Sequence, residues 1–257
     1  MNNIVAIIPA RMGSSRFPGK PLAKIHGMPM IGHVYLRTKM SSVLNETYVA
    51  TCDKEIFDYL QSIDGRVVMT AETHERCSDR TAEAMLKIEA ETGRSIDIVV
   101  MVQGDEPMVM SEMIEQAVAP MISNGGVDVV NLMARIKTVE EFEDPNEVKV
   151  VVGLDNHALY FSREPIPSRR KGVTNVPMLK QVCIIPFRRN YLMHFNDLPQ
   201  TPLEKIESVD MMRCIEHGNS VYMVLSERET MSVDTLDDLK KVERMMEKDS
   251  IMKKYLM

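Results

Sequence analysis

Three cations and two carboxylates are the residues in this 257-residue chain whose types and spacing point to chemistry. The cations are Arg11, Arg16 and Lys20, within the stretch IVAIIPARMGSSRFPGKPL that runs from Ile4 to Leu22. Gly13, Gly19, Ser14 and Ser15 are interleaved with them. Glycine and serine let backbone approach a ligand closely and offer N–H donors, and the cations aim positive charge at the same place. The stretch therefore reads as an anion-binding loop. It is not a P-loop, which has four residues between its glycines and a Ser or Thr after the lysine for the metal. Here five residues separate Gly13 from Gly19, and Pro21 follows Lys20, so ATPase-type chemistry is disfavoured.

The carboxylates are Asp105 and Asp234. Asp105 stands in Gln103-Gly104-Asp105-Glu106-Pro107, directly after an apolar run. A carboxylate at that point faces the ligand crevice of an open α/β sheet, where it would hold Mg²⁺ opposite a triphosphate. The same composition also makes a turn. Asp234, in Ser232-Val233-Asp234-Thr235, reads first as a helix-start carboxylate favoured by the helix dipole and second as another metal ligand. Arg80, in Cys77-Ser78-Asp79-Arg80, is either a base or phosphate contact or a solvated first-turn residue.

Charge is distributed unevenly around these residues. The formal net charge is −6, yet no Asp or Glu precedes Glu46, and the first 45 residues hold six cations. A local basic loop in an acidic chain suits a small anion and not a nucleic-acid surface, which needs a broad basic face. The four cysteines, at 52, 77, 183 and 214, have no metal-hook or redox spacing, so zinc is not expected and the thiols read as reduced. The first apolar run has no basic flank and spans five residues, unlike a signal peptide, and no segment is long enough to span a membrane. These features point to a soluble, cytoplasmic protein.

Positioning such residues requires alternating strands and helices. Ile4–Ile8 reads as a buried strand ended by Pro9. Helical spacing covers 31–40, with Ile31, Val34, Tyr35 and Thr38 inward. A strand at 47–51, a helix at 53–61 capped by Asp53, a strand at 66–70 and a helix at 79–91 follow. Residues 97–102 are almost wholly apolar, as central parallel strands are. A helix at 111–122 and a strand at 127–132 complete a β-α-β-α-β-α-β pattern. The fold class is α/β, a mostly parallel doubly wound sheet. Beyond it, 147–152 and 158–162 read as a hairpin, and 164–177 as an irregular basic arm with three prolines. A strand at 181–187, helices at 189–196 and 202–217, the latter ending at Gly218, a strand at 221–225 and a helix at 235–248 follow. In that last helix Thr235 and Asp238 form the cap, with Leu236, Leu239 and Val242 inward.

The run Ile8-Pro9-Ala10-Arg11-Met12-Gly13-Ser14-Ser15-Arg16-Phe17-Pro18-Gly19-Lys20-Pro21-Leu22 resembles the signature loop of CMP-sugar-acid synthetases, of the 3-deoxy-manno-octulosonate (Kdo) cytidylyltransferase type. The sialic-acid branch has a Gly-Gly-Ser-Lys type of loop instead. The resemblance continues in order through Ser78-Asp79-Arg80, Val102–Pro107, Asp144-Pro145-Asn146 with Val148-Lys149, and Ala158–Arg163 with Pro165-Ile166-Pro167. It then runs through Thr201–Glu204 with Glu207-Ser208, and Val233-Asp234-Thr235. It thus covers nearly the whole chain.

The resemblance implies one Rossmann-like nucleotidyltransferase domain over 1–257, with a nucleotide part at about 1–135 and a smaller β-rich acceptor and dimer part at about 145–215. It implies transfer of CMP from CTP to a 2-keto-3-deoxy sugar acid, with release of pyrophosphate and a homodimeric state. Arg11, Met12, Gly13, Ser14, Arg16 and Lys20 would line the triphosphate pocket. Ser78, Arg80 and Gln103 would hold the nucleotide, and Asp105 and Asp234 the Mg²⁺. Lys20, Asp105 and Asp234 would be catalytic. Arg163 and Glu207 would face the acceptor.

The departures from the family cluster on the acceptor side. A His-x-Gly-x-Tyr pattern is replaced by Gln181-Val182-Cys183-Ile184-Ile185, and a glutamine near Glu207 by Met211. Sites built around polar substrate groups discriminate strongly when partners change, so Gln181, Ile185 and Met211 point either to a modified acceptor acid or to local divergence with the same acceptor. A sugar-1-phosphate nucleotidylyltransferase and a non-catalytic nucleotide-binding protein are the competing classes. The second has no need for both Asp105 and Asp234.

Overall fold

A computed structural model describes residues 2–14, 16–173, 175–228 and 230–256. Ser15 of the loop and Thr174 of the basic arm lie outside the described residues. The chain divides into two compact units, Met1–Glu115 with Thr230–Met257, and Gln116–Glu229.

The first unit is built on four parallel strands: β1 (Ile4–Ala10), β4 (Glu46–Thr51), β5 (Val67–Met69) and β6 (Ile98–Val102), in the order β6-β1-β4-β5. A short ribbon, β2 (Lys24–Ile25) with β3 (Met28–Pro29), follows β1. The helices are α1 (Met30–Lys39), α2 (Lys54–Ser62), α3 (Cys77–Thr92) and, near the C-terminus, α9 (Leu236–Met246). β1 and β6 are buried at every position, which is why they read as unbroken apolar runs. From β1 the chain adds β4 and β5 on one side and then returns to place β6 on the other. The order reverses between β1 and β6, and ligands bind outside the carboxyl ends of strands at such a switch point.

β1 does not end at Pro9; it runs on to Ala10, paired with Thr51. Asn45 N–H donates to Ile4 O and Asp97 N–H to Asn3 O, so even-numbered residues face β4 and odd-numbered ones face β6. Pro9 thus faces β6, beyond the last pair of that ladder, Ile7 with Met101. Its missing N–H costs no ladder bond there.

The helix α4 (Ser111–Ser123) carries the chain from one unit into the next. The second unit contains α5 (Val139–Glu143), α6 (Arg189–Asp197), α7 (Pro202–Glu207) and α8 (Met211–Glu216). Its sheet has the order β12-β7-β10-β8-β9, from β7 (Val130–Arg135), β8 (Lys149–Val152), β9 (Ala158–Ser162), β10 (Leu179–Val182) and β12 (Tyr222–Ser226). β12 pairs with β7 in parallel; the other pairs are antiparallel.

Here the structure corrects the expected pattern. The strand expected at 127–132 begins at Val130 and belongs to this second sheet, not to the doubly wound one. The single strand expected at 181–187 is two, β10 and β11 (Ile184–Arg188), with Cys183 between them. The long helix expected at 202–217 is α7 and α8, parted at Ser208, whose φ is +54°. Gly218, at φ +76°, does follow the second of these. The arm at 164–177 has no strand or helix among its described residues.

Candidate active site

The switch point of the first unit carries the loop after β1 and the segment after β6. The loop is closed by its own backbone: Met12 O accepts from Ser14 N–H at 2.9 Å and Gly19 N–H at 3.0 Å. Gly19 makes the turn at φ +74°, where a side chain is strained, and its amide leads into a 3-10 turn, Lys20–Leu22. The Ser14 hydroxyl accepts from Phe17 N–H. Asp53 was expected to cap α2 and does precede it, but its side chain makes no cap bond. Its Oδ2 instead accepts from Met12 N–H at 2.8 Å, which pins the loop.

After β6 the chain must pass close to β1. A Cβ at Gly104 would lie 3.1 Å from Pro9 O and 3.3 Å from Ile31 Cδ1, tighter than ordinary packing allows. The close approach sets Asp105 beside the loop. Asp234 arrives from far along the chain and is fixed by three contacts. Val233 N–H donates to Asp105 O at 2.9 Å. Thr230 Oγ1 donates to the buried Glu106 at 3.1 Å. The Thr235–Asp238 capping box starts α9 as the sequence predicts. Behind them, Val233 packs with Leu239, Val242 and Met246 of α9 and with Ile25, Met30 and Met108. Leu236, expected inward, is 54% exposed because it occupies the first turn, off that face.

These elements bring Lys20, Asp105 and Asp234 together. Lys20 Nζ lies 2.8 Å from Asp105 Oδ2 and 3.3 Å from Asp234 Oδ1, and Arg16 Nη2 lies 2.9 Å from the same Asp234 oxygen. Burial works against the Lys20 ammonium, but Asp105 and then Asp234 more than offset it, so the Lys20 pKa is raised. Two carboxylates converging on one cation are an all-oxygen donor set. That set fits a hard divalent ion completing its shell with phosphate oxygens and water. Among the described residues no group of three or more His, Cys, Asp and Glu could hold a metal.

Arg80 is not a solvated first-turn residue. α3 begins at Cys77, two residues before the expected start, so Ser78 and Arg80 are both buried in its first turn. Arg80 Nη1 donates to Thr70 Oγ1 and Ala71 O, while its buried Nη2 has no partner among the described residues. A buried guanidinium with an unused donor is costly unless a ligand supplies the acceptor. Arg11 Nη1 reaches His74 O at 3.5 Å, and the carbonyl of Gln103 accepts from Glu106 N–H.

In the second unit the residues expected on the acceptor side form a closed network. Glu207 Oε1 accepts from Tyr160 OH and Ser162 Oγ, and Oε2 accepts from Arg163 N–H at 2.9 Å. The Arg163 guanidinium donates to the carbonyls of Glu207, Pro145 and Ser208. The buried Lys149 ammonium donates to the carbonyls of Asp144, Glu147 and Arg163. The family-like segments around 144–149, 158–163 and 207–208 therefore meet. Gln181 Nε2 donates to Asn131 Oδ1 at 2.5 Å, and Ile185 and Met211 are buried.

Two structural residues escaped the sequence reading. Arg37 is buried, with Nε on Val109 O at 2.7 Å, Nη2 on Met108 O and Nη1 paired to Asp249. It ties the segment after Asp105 to the chain after α9. His33, also buried, bonds Tyr255 and Ile25 O. Their partners are remote in sequence, so no local pattern signals either role.

A family model described as cytidylyltransferase matches residues 5–230. The 3-deoxy-manno-octulosonate cytidylyltransferase of Geobacter sulfurreducens is 42% identical over 250 residues, covering 93% of this chain and 98% of that one. A protein of the same name from Thermodesulfovibrio yellowstonii is 39% identical, covering 93% and 96%. A solved structure of CMP:2-keto-3-deoxy-manno-octonic acid synthetase complexed with CTP superposes with a TM-score of 0.88 at 37% identity, covering 96% of this chain and all of that one. A cytidylyltransferase from Leptospira borgpetersenii, 17% identical with a TM-score of 0.65, shares the fold. The α/β, parallel-rich architecture is common to them, and the match runs through both the loop after β1 and the segment after β6: the chain belongs to the cytidylyltransferase family.

Proposed function

We propose that this enzyme transfers CMP from CTP to the anomeric hydroxyl of 3-deoxy-manno-octulosonate, releasing pyrophosphate. The observation that carries the reading is the convergence of Lys20 on Asp105 and Asp234 at the mouth of the loop. Arg11, Met12, Gly13, Ser14 and Arg16 line the triphosphate, Arg11 and Arg16 with charge, while the Met12 and Ser14 N–H groups hold the loop in shape. Ser78, Arg80 and Gln103 hold the nucleoside, the Arg80 Nη2 finding there the acceptor it lacks. Asp105 and Asp234 would hold Mg²⁺, which when bound would supply neutralisation of phosphate charge. Lys20 stabilises charge that develops on the triphosphate as the acceptor oxygen attacks the α-phosphorus. In the unit at 116–229, Arg163 and Glu207 fix the backbone on which the acceptor side is built, with Gln181, Ile185 and Met211 setting its character. The reading includes a cytoplasmic homodimer.

A pyrophosphate-release screen tests it. CTP, Mg²⁺ and 3-deoxy-manno-octulosonate should give turnover, and ATP, GTP or UTP should not replace CTP. Turnover with a sugar 1-phosphate and none with a sugar acid would overturn the reading. Because residues 181, 185 and 211 depart from the family's polar pattern, the panel includes ulosonic acids modified at single hydroxyls. Preference for one of them over the parent acid would move the acceptor and leave the reaction class intact.

A further inference from the structure

Between the two carboxylates assigned to the divalent ion the structure sets a cation of the protein itself. Lys20 Nζ is within hydrogen-bond distance of both carboxylates, and Arg16 supplies a second positive group to Asp234. Lys20, Asp105 and Asp234 meet in a site of low exposure, their side chains 12, 22 and 16% exposed, while Arg16, 48% exposed, adds the second positive charge from the rim. A divalent ion arriving alone must push an ammonium off its two partners and then sit next to it without compensation. A triphosphate changes both terms. It offers Lys20 and Arg16 phosphate oxygens to pair with, and it supplies the remaining ligands for the metal.

We propose that Lys20 is an exchangeable counterion that makes metal binding conditional on the nucleotide: CTP draws the ammonium from Asp105 and Asp234 and opens them to the metal. This rests on the reading that those two carboxylates are the metal ligands. By linkage, the metal must tighten CTP as much as CTP tightens the metal. The same logic gives Lys20 opposite effects on the two ligands. Neutralising it strengthens metal binding to the free enzyme, because nothing competes for the carboxylates. It weakens CTP binding, because a phosphate partner is lost.

The test is Mn²⁺ binding, read by electron paramagnetic resonance or proton relaxation, with and without CTP, no acceptor present, and chelation by free CTP subtracted. In the wild type, CTP should tighten Mn²⁺ by about tenfold or more. Lys20→Met should bind Mn²⁺ more tightly than wild type without CTP, bind CTP more weakly, and show a smaller coupling. Arg16→Gln, which relieves Asp234 alone, should move in the same directions by less. It keeps the test available if the Lys20 variant misfolds. Equal Mn²⁺ affinity with and without CTP in the wild type, unchanged by either variant, would overturn the counterion exchange and leave the reaction untouched. If Asp105→Asn and Asp234→Asn both keep full Mn²⁺ binding in the presence of CTP, the metal assignment itself falls, and the exchange with it.

Discussion

On the proposed function Arg80 and Asp105 serve different stages of one reaction, and their variants should separate them. Arg80 offers a buried Nη2 with no acceptor among the described residues, so the contribution expected of it is to binding. A hydrogen bond to a charged group is worth about 1.5–3 kcal/mol, so Arg80→Met should raise the KM for CTP by about tenfold or more and leave kcat less affected. If Asp105 acts where charge develops, as proposed, Asp105→Asn should lower kcat by about a hundredfold or more, with a smaller change in nucleotide affinity. Steady-state kinetics with CTP varied checks both, and a uniform loss of affinity in Asp105→Asn would contradict its role. At this scale residue types were legible in the sequence: cations and glycines in the loop, a carboxylate after an apolar run. Their convergence was not. Lys20 is 85 residues from Asp105 and 214 from Asp234, and spacing made Asp234 look first like a helix-start carboxylate. It does precede a capped helix; the capping work falls to Thr235 and Asp238, which leaves the Asp234 carboxylate for Lys20 and Arg16. Asp53 shows the converse, a residue placed as a cap whose carboxylate serves the loop.

Elements were read best where burial is uniform and worst where one residue breaks a pattern. β1, β6 and the inward face of α1 follow from apolar runs and helical spacing because tertiary packing agrees with them. The expected helix at 202–217 kept its periodicity but not its continuity. Ser208 takes a left-handed conformation there, and Val209 N–H donates to Glu204 O across the break. A serine gives no sequence signal for that conformation, which glycine announces. The break matters for the network, since Ser208 O and Glu207 O both receive Arg163. Ser208→Gly should therefore keep the geometry and stabilise the protein by up to about 1 kcal/mol in urea unfolding. A clear loss of stability would show that the Ser208 side chain makes a contact that outweighs its backbone strain. The strand at Val130–Arg135 was recognised as a strand, but its sheet was not, because a β-α-β rhythm does not say which sheet the next strand joins.

At the scale of the molecule, the chain after Thr230 rejoins the unit formed by residues up to Glu115, and His33 is one of the bolts. Its Nε2 faces Ile25 O, which only accepts, so that nitrogen carries the proton; Nδ1 then accepts from the Tyr255 hydroxyl. Protonating Nδ1 would turn an acceptor towards a group that donates to it. Burial first, then Arg37 and His26, lower the His33 pKa, against the opposing pull of Ile25 O and Asp249. Linkage fixes the sign. In the unfolded chain His33 takes up a proton near its ordinary value of 6.5, while the folded chain resists until lower pH. Below about 6.5 the unfolded state binds more protons, so this contribution to stability is present at neutral pH and is lost as pH falls. His33→Gln keeps a donor and an acceptor but cannot titrate. It should lower Tm somewhat at pH 7.5 and flatten the fall in Tm between pH 7 and 5 relative to wild type. Parallel Tm profiles in the two proteins would remove His33 from the acid response. Ile25 and Val233 share one apolar cluster with Tyr255 packed against it, so loosening on protonation of His33 would be expected to reach the segment that carries Asp234.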